Sequence, residues 1–110
     1  LGHAQVWRTT NDLIDAWTLG TSTPYPFQGV RDVARWHEAF QPFQSPGAWN
    51  DPDMLVLGRV GWGKSMHESP LTRDEQTSHF ALWCLWSAPL LLGCSLSELD
   101  SETLSLLTND

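Results

Sequence analysis

The most regular hydrophobic pattern in the chain lies between residues 30 and 40. Positions i, i+3, i+4 and i+7 form one face of a helix, and here they are occupied by Val30, Val33, Ala34 and His37. Trp36 and Phe40 are expected to widen this apolar stripe, and Pro42 and Pro46 to end the helix. The pattern therefore predicts an amphipathic helix over residues 30–40.

Two further helices are predicted in the second half of the chain. Thr72 and Glu75 have the spacing of a capping box, in which each side chain accepts a hydrogen bond from the other residue's free backbone amide. The helix that they begin becomes apolar all round at residues 80–86, so we expect it to be buried on most sides. The last predicted helix covers residues 97–107, and its apolar side is expected to carry Leu99, Leu104 and Leu107.

Short apolar segments between these helices predict strands. They cover residues 1–7, the continuous run at 54–57, and residues 90–93. Residues 19–29 and 58–70 contain glycine and proline and are predicted to be loops. The resulting order alternates strand and helix three times, which indicates parallel strands joined by helical crossovers.

The length of the chain limits this architecture. A complete eight-stranded α/β barrel needs about 250 residues, and the chain has 110. It begins at Leu1 and stops just after a helical pattern, so we expect it to be part of a longer protein. Part of a barrel and an open sheet both fit the pattern. Polar clusters at residues 8–12 and 51–54 lie at or near the ends of predicted strands, and in α/β barrels the carboxyl ends of the strands carry the active site.

The second of these clusters contains two carboxylates next to a tryptophan. It reads Trp49, Asn50, Asp51, Pro52 and Asp53, and leads directly into the apolar run. Side chains two residues apart in an extended chain point to the same side, so Asp51 and Asp53 are expected to share a face. Such a cluster fits a sugar-binding site, although Asn, Asp and Pro are also common in ordinary turns.

Composition and charge exclude several classes of protein. The net charge is −7, whereas nucleic acids and anionic membranes are bound by basic surfaces. No apolar segment approaches the length of a membrane span. Cys84 and Cys94 fit neither a metal framework nor a disulfide-rich miniprotein, and both are interpreted as packing residues.

Residues 58–65 match G-x-x-x-x-G-K-[ST], the phosphate-binding loop of nucleotide-binding proteins. That loop needs a helix to begin at once, so that backbone amides surround the phosphate. Pro70 follows too soon for a sustained helix, and Trp62 is bulky for such a loop. Nucleotide binding at 58–65 is therefore kept only as a remote alternative.

The histidines and tryptophans are explained more simply by packing than by chemistry. His37 and His79 lie in predicted helices, and Trp36, Trp83 and Trp86 are expected in the core. The four histidines share no metal-ligand spacing, so the sequence predicts no metal site and no cofactor; they are His3, His37, His67 and His79.

Carboxylates remain as the candidate chemistry. Hydrolysis of a glycosidic bond uses one carboxyl group to protonate the leaving oxygen and a second to attack, to stabilise charge or to activate water. Asp12 and either Asp51 or Asp53 could face one pocket, and Arg8 could keep an acid ionised or hold a sugar hydroxyl. Arg8 could equally serve only to fix an aspartate. Asp12 and Asp15 would be neighbours if this segment formed a helical turn.

Taken together, these segments resemble glycoside hydrolase family 27, the melibiase family of α-galactosidases and α-N-acetylgalactosaminidases. The resemblance keeps its order along nearly the whole chain, and the stretch around residues 60–63 is similar to a bacterial branch of the family. It is carried by Trp7-Arg8 with Asp12, Asp15 and Trp17, by residues 49–58, by Leu71-Thr72 with Glu75, and by residues 82–84 and 88–91.

The resemblance implies a role for each candidate residue. Asp12 falls on the family's general acid/base position, and Arg8 on an arginine that grips the substrate. Asp53 and Met54 fall on residues that line the galactose pocket. Supporting positions are implied for Asp15, Asp51 and Trp49.

The resemblance also implies a retaining enzyme on a (β/α)8 barrel, with residues 1–110 as its C-terminal part, covering strands six to eight. The family's nucleophile would then lie upstream of this chain, which alone should be inactive. The implied partner is an α-galactoside, and secretion or a periplasmic location is favoured. A non-catalytic carbohydrate-binding module and a degenerate, purely structural family member remain as alternatives.

Overall fold

The computed structural model describes residues 4–20, 27–61 and 65–109, and short strands alternate with helices along them. The elements are β1 (Val6–Arg8), β2 (Asp12–Leu13), β3 (Phe27–Gln28), α1 (Val30–His37), a 3₁₀ segment (Glu38–Phe43), β4 (Trp49–Asp51), β5 (Arg59–Val60), β6 (His67–Glu68), α2 (Arg73–Leu85), a 3₁₀ turn (Leu96–Glu98) and α3 (Ser101–Leu107). No helix in these ranges has the length and apolar character needed to cross a membrane.

Parallel pairing joins three successive segments of the chain, as predicted. β1 pairs with β4 in parallel, with Arg8 opposite Asp51. Beyond β4, Leu55 forms a parallel bridge with Leu92, and its amide donates to the Leu91 carbonyl at 2.7 Å. The segment of β1 therefore neighbours the segment that contains β4 and Leu55, which in turn neighbours the segment around Leu92. Because both pairings are parallel, the carboxyl ends of the three segments meet at one edge.

The apolar run after β4 forms the centre of the core. Leu55, Val56 and Leu57 have no exposed surface, which confirms the predicted burial. The run is not a regular strand, however, because Leu55 is the one residue of the run with a bridge partner among the described residues.

Helix α1 is shorter than predicted, since it ends at His37 and continues as a 3₁₀ segment that contains Pro42. Val30, Val33 and His37 form its buried face, as the helical spacing predicted. Trp36 is 63% exposed, so its prediction as a core residue is wrong. It lies off the stripe that faces the core, and nothing else in the described residues covers it.

Helix α2 begins with the predicted capping box: the Thr72 hydroxyl accepts from the Glu75 amide, and the Glu75 carboxylate accepts from the Thr72 amide. Trp83 is fully buried, whereas Leu85 is 78% exposed and Cys84 is also exposed. The predictions of all-round burial and of a buried Cys84 are therefore wrong, because one face of α2 has no partner among the described residues. Both cysteines are free thiols, and Cys94 is partly buried.

The predictions for several short segments, in the loops and toward the C-terminal end, are wrong. The predicted loop 58–70 contains the antiparallel pair β5–β6, and the loop 19–29 contains β3, which pairs in parallel with β2. Asp12 lies in β2, so it does not form a helical turn with Asp15. The predicted buried strand at 90–93 has exposed leucines, at 48%, 55% and 39% for its first three residues.

Helix α3 also differs from its prediction. It begins at Ser101, after Asp100 accepts from the Thr103 amide as N-cap. Within α3, Thr103 is the buried residue. Leu104 is half exposed, so the prediction that it lies on the apolar side is wrong. The prediction is confirmed for Leu107, which packs against the core together with Leu106.

Candidate active site

Arg8, at the end of β1, lies between two of the predicted site residues. Its Nη2 is 3.1 Å from Oδ1 of Asp12 and 2.5 Å from Oδ2 of Asp53, and it also donates to the Asn11 carbonyl at 2.9 Å. Asp12 and Asp53 are 41 positions apart in the sequence, yet a single guanidinium nitrogen binds both carboxylates. The structure therefore brings together Arg8, Asp12 and Asp53.

The two carboxylates have different surroundings. The Asp53 side chain is 14% exposed, and its Oδ2 also accepts from the Leu13 amide at 2.7 Å. The Asp12 side chain is 68% exposed, and only its Oδ1 is bound among the described residues. The Asp53 carboxylate is thus held in place by its contacts, while the second carboxylate oxygen of Asp12 is available to contact a ligand.

The backbone at Asp53 explains this geometry. Its φ is +83°, a left-handed conformation that aspartate tolerates better than most residues because its short polar side chain bonds locally. The Asp53 amide donates to the Asp51 carboxylate at 2.9 Å, and its carbonyl accepts from Nε1 of Trp83 at 2.7 Å. The prediction that Asp51 and Asp53 share a face through an extended backbone is therefore wrong. The Asp51 carboxylate instead stabilises the turn that directs Asp53 toward Arg8.

Met54 and Trp49 lie outside the Arg8 cluster. The Met54 side chain is partly buried against the core and faces Gly93, beside a cavity of about 340 Å³ that Met66 and Cys94 also line. Trp49 is half buried in β4, opposite Val6 of β1. The structure gives Trp49 a place in the sheet but no polar contact with Arg8.

Asp15 has a partner that the sequence analysis did not find. Its Oδ2 is 2.6 Å from Nε2 of His67 in β6, and this hydrogen bond raises the pKa of His67 above its ordinary value. His67 had been assigned to a loop without a role. No local pattern indicates this contact, since the two residues are 52 positions apart.

The two buried histidines are structural, as interpreted from the sequence. Nε2 of His79 accepts from the Val56 amide at 3.1 Å, and burial lowers the pKa of His79 to about 3. His37 lies 3.3 Å from the Thr9 hydroxyl through Nδ1, and its ring packs on Trp86 at 4.5 Å between centroids. In the described ranges no three histidine, cysteine or acidic side chains are grouped so that they could hold a metal ion, and His3 lies outside those ranges.

The phosphate-loop match at 58–65 has no helix behind it. Residues 62–64, including Trp62 and Lys64, lie outside the described residues. Beyond them, β6 pairs in an antiparallel direction with β5, where a phosphate loop requires a helix N-terminus. The described residues thus lack the element that would bind the phosphate.

These observations define a class: an α/β protein with an arginine–carboxylate cluster at the carboxyl ends of parallel strands, where such folds place their active sites. The family model described as alpha galactosidase A (melibiase) matches residues 2–110. The chain therefore belongs to the α-galactosidase A family, and the resemblance read from the motifs is confirmed at this level.

Individual relatives agree with this assignment. The chain is 38% identical over 103 residues to α-galactosidase 2 of Arabidopsis thaliana, covering 94% of this chain and 21% of the relative. It is 34% identical over 104 residues to the α-N-acetylgalactosaminidase of Gallus gallus, covering 94% and 22%. Among solved structures, a GH27 β-L-arabinopyranosidase from Geobacillus stearothermophilus in complex with arabinose matches with a TM-score of 0.80 and 33% identity, over 96% of this chain and 23% of that one. The chain thus spans about a fifth of the length of these relatives.

Proposed function

We propose that this chain supplies the general acid/base side of the active site of a retaining glycoside hydrolase that releases terminal α-linked galactose. The observation that carries the proposal is the bridge from Arg8 to both Asp12 and Asp53. It combines an exposed carboxylate, able to exchange protons with a ligand, with an anchored one that can hold sugar hydroxyls.

In this mechanism Asp12 first protonates the departing glycosidic oxygen and then, as a carboxylate, takes a proton from the attacking water. Arg8 holds Oδ1 of Asp12, which directs the remaining oxygen toward the substrate. Asp53 and Met54 line the sugar pocket, and Asp15, Asp51 and Trp49 support the cluster. The second carboxylate of a retaining site stands about 5–5.5 Å from the first, and we assign that nucleophile to a part of the protein outside these residues.

The same proposal gives the chain a place in the fold. Residues 1–110 would form the C-terminal part of a (β/α)8 catalytic barrel, with its three parallel segments as strands six to eight. The parallel neighbours and the site at their carboxyl ends support this placement. Without the nucleophile, the 110-residue chain alone would not turn over a galactoside.

Names of the relatives support the substrate class. They are α-galactosidases and an α-N-acetylgalactosaminidase, with a β-L-arabinopyranosidase among the matching structures. All three sugars are pyranoses that a pocket of similar shape can hold. Galactose is the substrate we propose, since the α-galactosidases include the higher of the two identities.

Replacing Asp12→Asn in the full-length protein tests the proposal. With a natural α-galactoside, whose leaving group is poor, we expect kcat/KM to fall on the order of 10²–10⁴-fold, the usual contribution of a general acid or base. With a nitrophenyl α-galactoside the fall in kcat/KM should be much smaller, because that leaving group departs without protonation. Asp74→Asn, at an exposed acid in the first turn of α2, is the matched control and should retain activity.

Three outcomes would contradict the proposal. The wild-type protein could bind galactose without hydrolysing it, which is the behaviour of a carbohydrate-binding module or a degenerate member. Asp12→Asn could leave hydrolysis of the natural substrate intact. Equal losses on both substrates would indicate a structural effect rather than a missing proton donor.

A further inference from the structure

A hydrogen bond outside the Arg8 cluster joins two distant parts of the described chain. Nε2 of His67, in β6, is 2.6 Å from Oδ2 of Asp15, in the turn that follows β2. The Asp15 side chain is 15% exposed and that of His67 is 48% exposed. The contact therefore holds a largely buried carboxylate, three residues after Asp12, against the β5–β6 pair.

The geometry fixes the charge of this histidine. Nδ1 of His67 is 3.0 Å from the Ser65 carbonyl oxygen, which can only accept a hydrogen bond. Nε2 faces a carboxylate, which when ionised also only accepts. Both ring nitrogens must carry protons to satisfy both partners, so the arrangement fits the imidazolium cation. His67 and Asp15 then form a charge-assisted pair.

The Asp15 turn is held on its other side by the elements that build the site. Ala16 donates to the Ile14 carbonyl at 2.8 Å, and its own carbonyl accepts from Val30 at the start of α1 at 2.9 Å. Ile14 donates to Gln28 of β3 at 3.0 Å. His67 adds a side-chain contact to this turn, directly after the strand that carries Asp12.

We propose that His67 is a positioning residue for Asp12: by binding Asp15, it fixes the turn that sets the place of β2 and its carboxylate. This inference rests on the proposed function, in which Asp12 is the general acid/base. It adds a residue from the β5–β6 pair to a site whose other members come from the ends of β1, β2 and β4.

The proposed role depends on pH with a definite sign. The hydrogen bond to Asp15 raises the pKa of His67, and the bond to Ser65 acts in the same direction. Arg59 of β5 faces the same ring and opposes this shift, while it is itself bound by Glu68 and Glu98. A raised pKa means that the pair is complete below the ordinary value for histidine and is lost as pH rises through the folded value. Above that pH the neutral ring keeps only one N–H, so the ionic part of the contact with Asp15 is lost and either Asp15 or Ser65 faces a lone pair.

The test is the pH dependence of kcat in the full-length protein with His67→Ala. The ratio of wild-type to variant kcat should be on the order of tenfold at acidic pH, since small misplacements of a catalytic group are costly. It should fall above the raised pKa of His67, where the wild-type pair has lost its charge. The ratio removes the pH effects that the two proteins share. The fall should appear in kcat, with KM little changed.

Two variants make the test specific. Asp74→Ala, at an exposed acid of α2 that binds neither His67 nor Asp15, is the control and should leave kcat unchanged at every pH. The double variant Asp15→Ala with His67→Ala should lose no more than either single variant, because the two residues act as one unit. If His67→Ala fails to fold, His67→Gln replaces it, because glutamine keeps an N–H donor but cannot carry the charge. The same change of the kcat ratio with pH is then expected.

A ratio that does not change with pH, or additive losses in the double variant, would overturn the proposal. Its failure can be separated from failure of the proposed function. Histidine NMR of the full-length protein should show a His67 pKa above its ordinary value that falls back in Asp15→Ala, whether or not the protein hydrolyses galactosides. An unshifted pKa of His67 would contradict the His67–Asp15 pair, whereas a lack of hydrolysis by the wild-type protein would contradict the proposed enzymatic function.

Discussion

At the scale of single residues, Asp53 is held by contacts with three different elements. Its backbone is left-handed, its carboxylate binds Arg8 and the Leu13 amide, and its carbonyl accepts from Trp83. Each contact comes from a different element, so the Asp53 turn joins β1, β2 and α2. A site built on such a residue is rigid, as positioning of reacting groups requires.

Gly93 controls the position of the neighbouring Met54. A Cβ at position 93 would lie 2.4 Å from Sδ of Met54 and 2.8 Å from its Cγ. In a Gly93→Ala variant the flexible thioether would therefore have to move. We expect KM for an α-galactoside to rise several-fold, with a stability cost of about 1–3 kcal/mol from overpacking. Kinetics and thermal unfolding of the full-length protein measure the two effects.

A double variant separates displacement of Met54 from general strain. If Gly93→Ala acts through Met54, its effect on KM should vanish in a protein that already carries Met54→Ala. An unchanged KM in Gly93→Ala would show that Met54 moves without touching the substrate. That result would remove Met54 from the proposed sugar pocket.

At the scale of elements, α2 explains why the buried run after β4 is not a regular strand. Side chains of the helix bind the run's backbone amides: His79 accepts from Val56, and Gln76 accepts from Gly58 at 2.8 Å. Buried amides need partners, and here a helix supplies those that a neighbouring strand would otherwise provide. The apolar pattern of the run predicts its burial but cannot indicate which partner binds its backbone.

The contact between His79 and Val56 should make stability depend on pH. Burial lowers the pKa of His79 to about 3, so between that value and 6.5 the unfolded chain binds the proton more readily. Stability therefore falls as pH decreases through this range. In His79→Gln, whose side-chain oxygen can accept from Val56, this contribution should disappear. Unfolding temperatures of both full-length proteins from pH 7 to pH 4 should converge; a constant difference would contradict the expectation.

The sequence predicts those features of the fold that depend on local patterns. The buried face of α1 and the capping box of α2 follow from spacing over a few residues, and both are confirmed. The pair β5–β6 could not be predicted in this way, because strands of two residues are too short to show an alternation of apolar and polar residues. Exposure of Leu85 also escapes it, since burial of an apolar face depends on what packs against it.

In the candidate site too, the sequence indicates the features that depend on local patterns and not those that depend on tertiary structure. Arg8 and Asp12 are four positions apart, and the motif around Asp53 adjoins a predicted strand, so the sequence indicated all three. The left-handed turn at Asp53 has no periodic signal. The pair of His67 with Asp15 depends on tertiary structure alone, because 52 residues separate its members.

At the scale of the whole molecule, large apolar side chains remain at the surface of the described residues. Leu85 is 78% exposed, Leu96 67%, Trp36 63%, Phe43 58% and Leu91 55%. Scattered apolar residues are normal on a protein surface, but so many in a small chain indicate faces that bind another part of a protein. The match to about a fifth of each relative fits this interpretation.

The 110 residues produced alone should therefore associate or bind a hydrophobic dye, while the full-length protein should not. Size-exclusion chromatography and dye fluorescence, measured on both proteins at equal molar concentration, would test this. A monodisperse 110-residue chain with no dye binding would show that its exposed leucines and aromatic residues need no cover.

The bond from Leu13 to Asp53 has a consequence for how this site changes during evolution. Its donor is a main-chain amide, which nineteen of the twenty amino acids provide, so the identity of the side chain at position 13 can drift without breaking it. Only proline lacks the donor. A contact that joins the Asp12 segment to the Asp53 segment can thus persist through substitutions without being visible as an invariant residue in an alignment.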